Sequence, residues 1–538
     1  NQVTSDGQPK FFEKDIPTTG DLTAEDNYEP RIYFSQNSPD YSFVTPGSNS
    51  ELDYPDAKEG TSFKGSGNPK ISNPLIRLFY AAKFGDYQML FSDKVTNNSQ
   101  VLYNRDPSER VKAVAPYLTL DGRVYPAAVD GKIKWIIDAY TTSDQFPYSS
   151  LLNLGTATKD VVTETSNTIS GLDSVTANYV RNSVKATVDA YDGSVTLYAW
   201  DPEDPVLKAW SKIYGQNLHS ISEISGSLMS HIRYPENLFK IQRQLLSQYH
   251  VTDANQFFTQ EDIWKVPNDP TTTGSVTSKT GSKETGVKQA PYYLTIQMPE
   301  NDSPIFSLTS AFIPGGGNNR EILTGFLSAD SDAGDQAGVV GPNYGKLHLL
   351  ELPKNTTVPG PGQAQNNFNA NADVSKELNL LSQGSTSVKK GNLLTLPIGG
   401  GLVYIEPVYV QSTGGTSFPL LKKVLVAFGD KVGFADTLEG ALDQVFGGDS
   451  GAQVDSTAAQ STATNTNNNN SDETSQTSDS TQSSSTSNND QTSDNSQTSN
   501  SSDSANANKL QALRDCVQAF DDGSKTMNDL KACLDSSK

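Results

Sequence analysis

The sequence contains only two cysteines and four histidines among 538 residues. The histidines form no HxxxH or HExxH motif, so the sequence predicts no metal site; they are His219, His231, His250 and His348. Basic residues are also scarce, at 41 against 62 acidic ones, and the formal net charge is −21. Because a protein that binds a nucleic-acid backbone needs a clustered basic surface, that class is excluded.

Long apolar runs are missing as well. No segment of the sequence approaches the ~20 consecutive apolar residues that a transmembrane helix requires. The chain starts at Asn1 without an initiator methionine, and no basic and apolar leader follows. We therefore expect this chain to be the soluble portion of a longer protein.

The acidity is concentrated near the end of the chain. Residues 449–508 contain eight acidic residues and no Lys or Arg, and Ser, Thr, Asn and Gln dominate the rest. A tract without aromatic residues cannot bury enough apolar surface to offset the entropy of ordering it. The sequence predicts a disordered tether over 449–508, with an acidic binding tail as the alternative.

Both cysteines, Cys516 and Cys533, follow this tract. Apolar residues at helical spacing on either side of Asp521–Ser524 predict a helical hairpin over 509–538. The midpoint between the two cysteines falls at that turn, so the two sulfurs would lie at equal height on facing helices and a disulfide is geometrically reasonable. The alternative is two reduced, buried thiols. A disulfide implies an oxidising, extracytoplasmic compartment.

The body of the chain mixes helix and strand signals. Asn73–Pro74 predicts the start of a helix, because Asn is a good cap and Pro suits the first helical position. Asp121–Gly122 and Asp130–Gly131 separate segments of alternating polarity and predict a three-stranded meander over 117–140. Asp192–Gly193 predicts a second hairpin.

Helical periodicity recurs over Glu236–Tyr249 and Thr437–Phe446, whereas strand-like runs dominate after Ala290. The predicted fold class is α+β, with antiparallel β meanders and hairpins and packed helices. The predicted organisation is an α+β part over 1–270, a loop or linker over 271–290, a β-rich part of the same body with a closing helix over 291–448, the disordered tether over 449–508 and the helical hairpin over 509–538.

One polar segment stands at the end of an apolar strand. It carries two carboxylates and three hydroxyls, on Asp138, Thr141, Thr142, Ser143 and Asp144. Such a cluster can hold a substrate, or it can equally form caps and turn hydrogen bonds. If the protein is a hydrolase, the candidate carboxylates are Asp138, Asp144 and Glu236.

Two further motifs resemble a catalytic motif and a metal-binding loop, but the sequence favours ordinary loop structure for both. Gly448–Gly451, GDSG, imitates the nucleophile sequence of a serine protease but has no companion histidine motif. Asp330, Asp332 and Asp335 offer oxygen ligands for calcium, yet the Gly and Glu positions of an EF-hand loop are missing. A solvated hairpin end is the expected structure there.

Several long segments carry a resemblance. They are YLTLDGRVYPAAVDGKIKWIIDAYTTSDQFPYS at 117–149, NYVRNSVKATVDAYDGSVTLYAWDPEDPVLKAW at 178–210, HIRYPENLFKIQRQLLSQYHVTDANQFFTQEDIWKVP at 231–267, APYYLTIQMP at 290–299, YGKLHLLELPKNTTVPGPG at 344–362, and the segments 378–410 and 418–446. Together they resemble uncharacterised protein family 0182, a group of bacterial multi-pass membrane proteins. The resemblance covers nearly all of 11–448.

The resemblance implies several N-terminal membrane helices followed by a large domain outside the cytoplasmic membrane. This chain would then be the extracytoplasmic domain without its anchor. The resemblance implies no established reaction, cofactor or catalytic residue. The expected partners are other membrane or envelope proteins and, through a missing N-terminal segment, the membrane itself; no nucleic acid, metal or cofactor is expected.

Three functions are compatible with the sequence. The first is a structural, scaffolding or transport-associated role in the bacterial cell envelope, without catalysis. The alternative is an envelope hydrolase that uses carboxylates on glycan or peptide. A secreted carbohydrate-binding module is the third, since 22 tyrosines could supply a row of exposed rings.

Overall fold

The structure is a computed structural model that describes residues 10–448, with gaps at 16, 23–27, 48–50, 55–56, 58–59, 66–67, 160–171, 173–174, 215–216, 272–275, 278–282, 285–286, 317–319, 356, 399 and 415–417. The chain separates into two units, Asn1–Ser461 and Thr462–Lys538, and all described residues belong to the first. The predicted tether and helical hairpin, with Cys516 and Cys533, lie outside the described residues.

Eleven α-helices occur within the described residues. They are α1 (Pro74–Phe84), α2 (Gln88–Phe91), α3 (Pro107–Val114), α4 (Leu154–Thr158), α5 (Pro205–Tyr214), α6 (Gly226–Met229), α7 (Glu236–Tyr249), α8 (Ala254–Thr259), α9 (Pro361–Ala370), α10 (Ala372–Leu381) and α11 (Leu438–Phe446). The predicted start of α1 is confirmed, because the Asn73 side chain accepts a hydrogen bond from the backbone N–H of Ile76. None of the helices in this part of the chain has the length and hydrophobicity of a membrane-spanning helix.

The same residues form twenty-four strands. They are β1 (Glu13–Lys14), β2 (Thr19–Gly20), β3 (Tyr41–Val44), β4 (Gln100–Tyr103), β5 (Thr119–Leu120), β6 (Tyr125–Val129), β7 (Lys132–Ser143), β8 (Leu152–Asn153), β9 (Thr176–Ala177), β10 (Tyr179–Asp189), β11 (Val195–Ala199), β12 (Leu218–Ser220), β13 (Trp264–Lys265), β14 (Val276–Thr277), β15 (Lys283–Glu284), β16 (Tyr292–Ile296), β17 (Ile305–Pro314), β18 (Gly325–Asp330), β19 (Leu347–Glu351), β20 (Thr386–Lys390), β21 (Leu394–Ile398), β22 (Gly401–Ser412), β23 (Leu420–Phe428) and β24 (Lys431–Ala435).

Three larger sheets organise these strands. The first has the order β12-β11-β10-β7-β5, with β6 also paired to β7. The second has the order β13-β17-β18-β19 with β16 paired to β17, and the third has the order β20-β22-β23-β24 with β21 paired to β22. Nearly all of these pairings are antiparallel, the exception being β11 with β12. The predicted α+β class is confirmed.

The hairpin between β6 and β7 forms as the sequence predicts. Asp130 and Gly131 both have positive φ, at 52° and 74°, which is the backbone of a type I′ turn that Asp-Gly favours. The predicted hairpin at Asp192–Gly193 also forms, between β10 and β11.

The predicted meander has a different pairing. β5 and β6 both lie along the same edge of β7, with Leu120 opposite Ala139 and Tyr125 opposite Ile136. Asp121–Gly122 therefore does not close a hairpin between β5 and β6. The chain between these strands instead turns the Asp121 side chain into the interior, where it is 1% exposed.

Helix α7 joins the first two sheets. Phe239 packs among Leu308 and Phe312 of β17, while Ile241 packs near Tyr140 of β7. Burying each such side chain contributes roughly 1.5–3 kcal/mol. The polar residues of α7 are consequently held at the junction between the sheets.

The third sheet has helices on both faces. Phe368 of α9 and Val374 of α10 pack against Tyr404 and Leu425 on one face. On the other face, Val445 of α11 belongs to the cluster that contains Val403, Val424 and Val426. Within the predicted loop at 271–290, β14 pairs with β15 in an antiparallel ladder.

Candidate functional site

A group of buried charges lies where β7, β10 and α7 meet. Lys185 of β10 stands directly opposite Asp138 of β7 in the strand register, and the ammonium donates a hydrogen bond to the carboxylate. Their side chains are only 1% and 4% exposed. A charge removed this completely from water is tolerated only when it is paired and hydrogen-bonded.

A second carboxylate, that of Asp121, lies beside this pair. It accepts hydrogen bonds from the Tyr140 hydroxyl at 2.5 Å, from the Asn237 amide at 2.8 Å and from the backbone N–H of Arg123 at 2.9 Å. Burial, together with the negative charge of Asp138, raises the pKa of Asp121 to about 6. Asp121 is thus an acid that gains or loses its proton in the near-neutral range.

The first turn of α7 adds a third carboxylate. Glu236 Oε1 lies 2.8 Å from Arg123 Nη2 and 2.9 Å from Lys240 Nζ, one helical turn further along α7. Glu236 and Lys240 are almost fully buried, and Arg123 is about one quarter exposed. The buried ionic cluster is defined here as Asp121, Arg123, Asp138, Lys185, Glu236 and Lys240, three acids and three bases.

Aromatic rings enclose the Lys185 end of the buried ionic cluster. Lys185 Nζ is 3.1 Å from the Tyr344 hydroxyl and 5.0 Å from the centre of the Trp200 ring. Burial lowers the pKa of Lys185 and raises that of Tyr344. The Arg233 guanidinium lies over the Tyr125 ring at 3.9 Å. These rings separate the ion pair from bulk water.

No residue of the buried ionic cluster lines either of two surface cavities that the described residues form. A cavity of about 300 Å³ is lined by Val129, Asp130, Lys132, Lys134, Thr187, Asp189, Ser194 and Thr196. A cavity of about 610 Å³ is lined by Arg320, Glu321, Ile322, Thr357, Pro359, Gln363, Asn367 and Asp430. A substrate in either cavity would therefore not meet the cluster.

The predicted polar segment does not converge on one point. Asp138 and Thr141 differ by an odd number of residues, so they lie on opposite faces of β7. Thr142 Oγ1 lies 3.4 Å from Thr119 Oγ1. Ser143 accepts a hydrogen bond from the backbone N–H of Gln145, and Asp144 is exposed.

Thr141 belongs to a different polar network, centred on Asp204. The Asp204 carboxylate accepts hydrogen bonds of 2.6 Å from each of the hydroxyls of Thr141, Ser183 and Tyr179. It also accepts from the backbone N–H of Val206 at the start of α5. Burial opposes ionisation of Asp204, but these hydrogen bonds outweigh it and lower the pKa. This arrangement fixes α5 to the first sheet.

Of the three hydrolase candidates, Asp138 and Glu236 both belong to the buried ionic cluster, whereas Asp144 does not. Asp144 lies at the exposed end of β7 and accepts a hydrogen bond from the side chain of Gln145 at 2.8 Å. An acid and a base that flank one scissile bond must both reach it. Asp144 and the two buried carboxylates are not arranged in that way.

Sequence reasoning missed Lys185, Asp121 and Asp204. The signal for Lys185 was present, since a lysine interrupts the apolar run Val184–Val188 in the same way that Asp138 interrupts its own strand. Their pairing depends on the strand register, which the sequence does not specify. For Asp121, the following Gly122 predicts a turn residue and not a buried carboxylate.

A smaller charged group surrounds His348 on the second sheet. Its two ring nitrogens lie 3.0 Å from Asp330 and 3.0 Å from Glu300. Burial alone would lower the pKa of His348, but the two carboxylates outweigh it and raise the pKa. Asp332, in the segment considered for calcium, accepts from the backbone N–H of Gly334 instead. Among the described residues, no group of three or more His, Cys, Asp or Glu side chains is placed to hold a metal ion.

Comparison with known proteins places this chain in a family. Residues 1–381 match the family model described as uncharacterised protein family UPF0182. A UPF0182 protein of Bifidobacterium adolescentis is 64% identical over 455 residues, and UPF0182 protein BL1029 of Bifidobacterium longum is 63% identical over 457. A UPF0182 protein of Paenarthrobacter aurescens is 55% identical over 462 residues.

These alignments cover 84% of this chain but only 42%, 42% and 45% of the three relatives. The chain thus spans less than half the length of the curated relatives that it matches. No solved structure matches it. With a family model matched over most of its length and relatives at such identity, the chain belongs to uncharacterised protein family UPF0182.

Proposed function

We propose that this chain is the extracytoplasmic domain of an integral membrane protein, with a structural, scaffolding or transport-associated role in the bacterial cell envelope. The non-catalytic part of this proposal rests on the burial and pairing of the charges in the buried ionic cluster. Asp138, Lys185, Glu236 and Lys240 have side chains that are 4% exposed or less, and each is paired. Charges paired in this way position elements and specify the packing of a core.

The anchored, extracytoplasmic part of the proposal has separate support. The relatives extend well beyond the part that this chain matches, so an anchor elsewhere in such a longer protein is compatible with the alignments. The predicted disulfide between Cys516 and Cys533 would require an oxidising compartment. The expected partners are other proteins of the membrane or envelope.

An envelope hydrolase remains the competing proposal. Its one favourable observation is the pKa of Asp121, which is raised to about 6 and would suit a general acid. Asp121 is 1% exposed, however, and its carboxylate already accepts hydrogen bonds from Tyr140 and Asn237. Hydrolysis at this position would require β7 and α7 to separate.

Two measurements decide between these roles. Crosslinking of the full-length protein in its native membrane should capture a reproducible set of envelope proteins. The 538-residue chain, incubated with cell-wall glycan and peptide fragments, should release no more reducing ends or amines than its Asp138→Leu/Lys185→Met variant. Hydrolysis by the wild type that Glu236→Gln or Asp144→Asn abolishes would refute the proposed role.

A further inference from the structure

Glu406 places a carboxyl group within an apolar face of the third sheet. It lies on β22 between Tyr404 and Val408, and side chains two residues apart on a strand share a face. Tyr404 and Val408 belong to the core cluster in which Phe368 of α9 packs on this sheet. Glu406 itself is 0% exposed. A carboxyl group in this position needs hydrogen bonds for both of its oxygens.

One side chain of α9 meets this carboxyl group. Gln365 is 3% exposed, and its Nε2 donates a hydrogen bond of 3.0 Å to Glu406 Oε2. The other oxygens of the two groups, Glu406 Oε1 and Gln365 Oε1, are both buried, and among the described residues neither has a hydrogen-bond partner. Two unsatisfied acceptors in one buried pair destabilise the fold as long as Glu406 is ionised.

A single proton satisfies both acceptors. A protonated carboxyl group donates as well as accepts, whereas an ionised one only accepts. With a proton on Oε1, Glu406 can donate to Gln365 Oε1 while Gln365 continues to donate to Glu406 Oε2. The acid and the amide then form a closed pair, with two hydrogen bonds between β22 and α9.

The surrounding charges do not compensate a buried carboxylate. The charged groups that act on Glu406 are Lys390 of β20, which favours the ionised form, and Asp269, which opposes it. The Lys390 ammonium donates to Asn369 of α9, and neither α9 nor β21 contains a charged residue. Tyr404, the titratable neighbour on β22, donates its hydroxyl to a backbone carbonyl. Burial dominates and raises the pKa of Glu406 to about 7.

We propose that Glu406 carries the proton of an acid–amide pair with Gln365, and that loss of this proton loosens the attachment of α9 to the third sheet. Ionisation leaves a negative charge buried on β22 and both oxygens without a donor, so the contact with α9 weakens. The attachment is strongest in acid and weakens as pH rises through about 7, the pKa of Glu406 in the folded chain. This pH-dependent contact goes beyond the envelope role proposed above and does not depend on it.

The first test compares denaturant unfolding of the 538-residue wild type and of Glu406→Gln at a series of pH values. A glutamine keeps the shape of the protonated acid, and its amide can donate to Gln365 at every pH. On folding, the pKa of Glu406 rises from 4.5 to about 7. The unfolding equilibrium constant of the wild type, divided by that of the variant, should therefore increase on the order of 100-fold between about pH 4 and pH 8.

The matched control is Glu351→Gln, which makes the same chemical change at an exposed position of β19. The ratio of unfolding constants for this control should stay nearly constant over the same pH range. Hydrogen exchange then locates the effect in the fold. At about pH 8 the backbone amides of α9 should exchange faster in the wild type than in Glu406→Gln, and the difference should be smaller in α11, on the opposite face of the sheet.

Infrared spectroscopy of the wild type detects the proton without any variant. Isotopic labelling of the glutamate carboxyl groups separates their bands from those of aspartates such as Asp121. An ordinary glutamate is ionised at about pH 6, so a band of a protonated glutamate should remain at this pH and disappear by about pH 8. The same band should be missing from Glu406→Gln.

Three results would overturn the proposal. The first is the absence of a protonated glutamate band in the wild type at about pH 6, because Glu406 would then be ionised in its buried position. The second is a band that persists in Glu406→Gln, because another glutamate would then carry the proton. The third is a ratio of unfolding constants between the wild type and Glu406→Gln that does not change with pH.

Discussion

Lys185 shows how a single residue constrains this fold. An ammonium group with 1% exposure is stable only because Asp138 lies opposite it in the register and the Tyr344 hydroxyl supplies a second contact. The pair replaces an apolar contact in the middle of the first sheet. Its value lies in specifying the pairing of β7 with β10, because any other register would bury one charge alone.

Breaking the pair from one side should be costly. Lys185→Met leaves the Asp138 carboxyl group buried without its partner, so the free energy of unfolding should fall by about 3–5 kcal/mol. Denaturant unfolding at neutral pH measures this change. Lys185→Met/Asp138→Leu is the matched control and should recover most of the loss, because an apolar pair can replace a buried ion pair.

The outcome for the single variant is decisive. A loss within about 0.5 kcal/mol, the size of an ordinary surface substitution, would contradict the structural importance of the pair.

Asp121 should make the stability depend on pH. Its pKa rises from an ordinary 3.8 to about 6 on folding, so between about pH 4 and pH 6 the folded state holds a proton that the unfolded state has lost. The free energy of unfolding attributable to Asp121 therefore falls as pH rises through this window, by on the order of 3 kcal/mol. Above about pH 6 this decrease in the free energy of unfolding is complete.

Asp121→Asn isolates this contribution, since the other titrating groups are common to both proteins. Unfolding curves should be measured at a series of pH values. As pH rises from about 4 to 7, the free energy of unfolding of the variant should increase relative to that of the wild type by on the order of 3 kcal/mol. A difference between the two proteins that does not change with pH would show that Asp121 titrates normally in the fold.

The carboxylate of Asp204 attaches helix α5 to the first sheet, in addition to the apolar packing of Leu207. Asp204 accepts hydrogen bonds from three buried or half-buried hydroxyls and from the backbone N–H groups of Val206 and Leu207. Asp204→Ala removes the cap and leaves the hydroxyls of Thr141 and Ser183 without this acceptor. The free energy of unfolding should fall by more than about 2 kcal/mol at neutral pH.

The neighbouring Glu203 provides the control. It is 82% exposed and pairs with Lys208 across the surface, so Glu203→Ala should leave the stability close to that of the wild type. Because the pKa of Asp204 is lowered in the fold, its stabilisation should be lost as pH falls below the ordinary range for an aspartate. Equal effects of the two substitutions would contradict the role of Asp204 as an organiser of α5.

The elements that the sequence predicts well are those with local signals. Helix α7 forms over Glu236–Tyr249 as predicted. The helix predicted over Thr437–Phe446 forms as α11, which begins at Leu438 with Thr437 as its cap. The Asp130–Gly131 hairpin also forms, because a type I′ turn depends on two adjacent residues alone. These features need no information from distant parts of the chain.

Other features depend on distant contacts and could not be predicted. The segment of α9 and α10 is rich in Asn and Gln, and its helices are stabilised by packing Phe368 and Val374 on the third sheet. At the candidate site, Asp138 was identified as a polar residue in an apolar strand, but its partner Lys185 is 47 residues away. Only the register of β7 with β10 brings the two together.

At the scale of the whole molecule, the state of the two cysteines indicates whether the protein lies in an oxidising compartment. The sequence predicts a disulfide between Cys516 and Cys533. A thiol reagent added to the denatured, unreduced chain should label neither residue, and after reduction it should label both. Two reactive thiols before reduction would refute the disulfide and remove this support for an oxidising compartment.

The proposed position of this domain outside the cytoplasmic membrane can be measured in cells. The most direct measurement is labelling of full-length Asp144→Cys in intact cells with a maleimide that cannot cross the membrane, because Asp144 is exposed at the end of β7. The wild-type protein controls for reaction at Cys516 and Cys533, and a cytoplasmic marker controls for leakage. If the domain lies outside the membrane, labelling in intact cells should equal labelling after lysis, and labelling only after lysis would refute this placement.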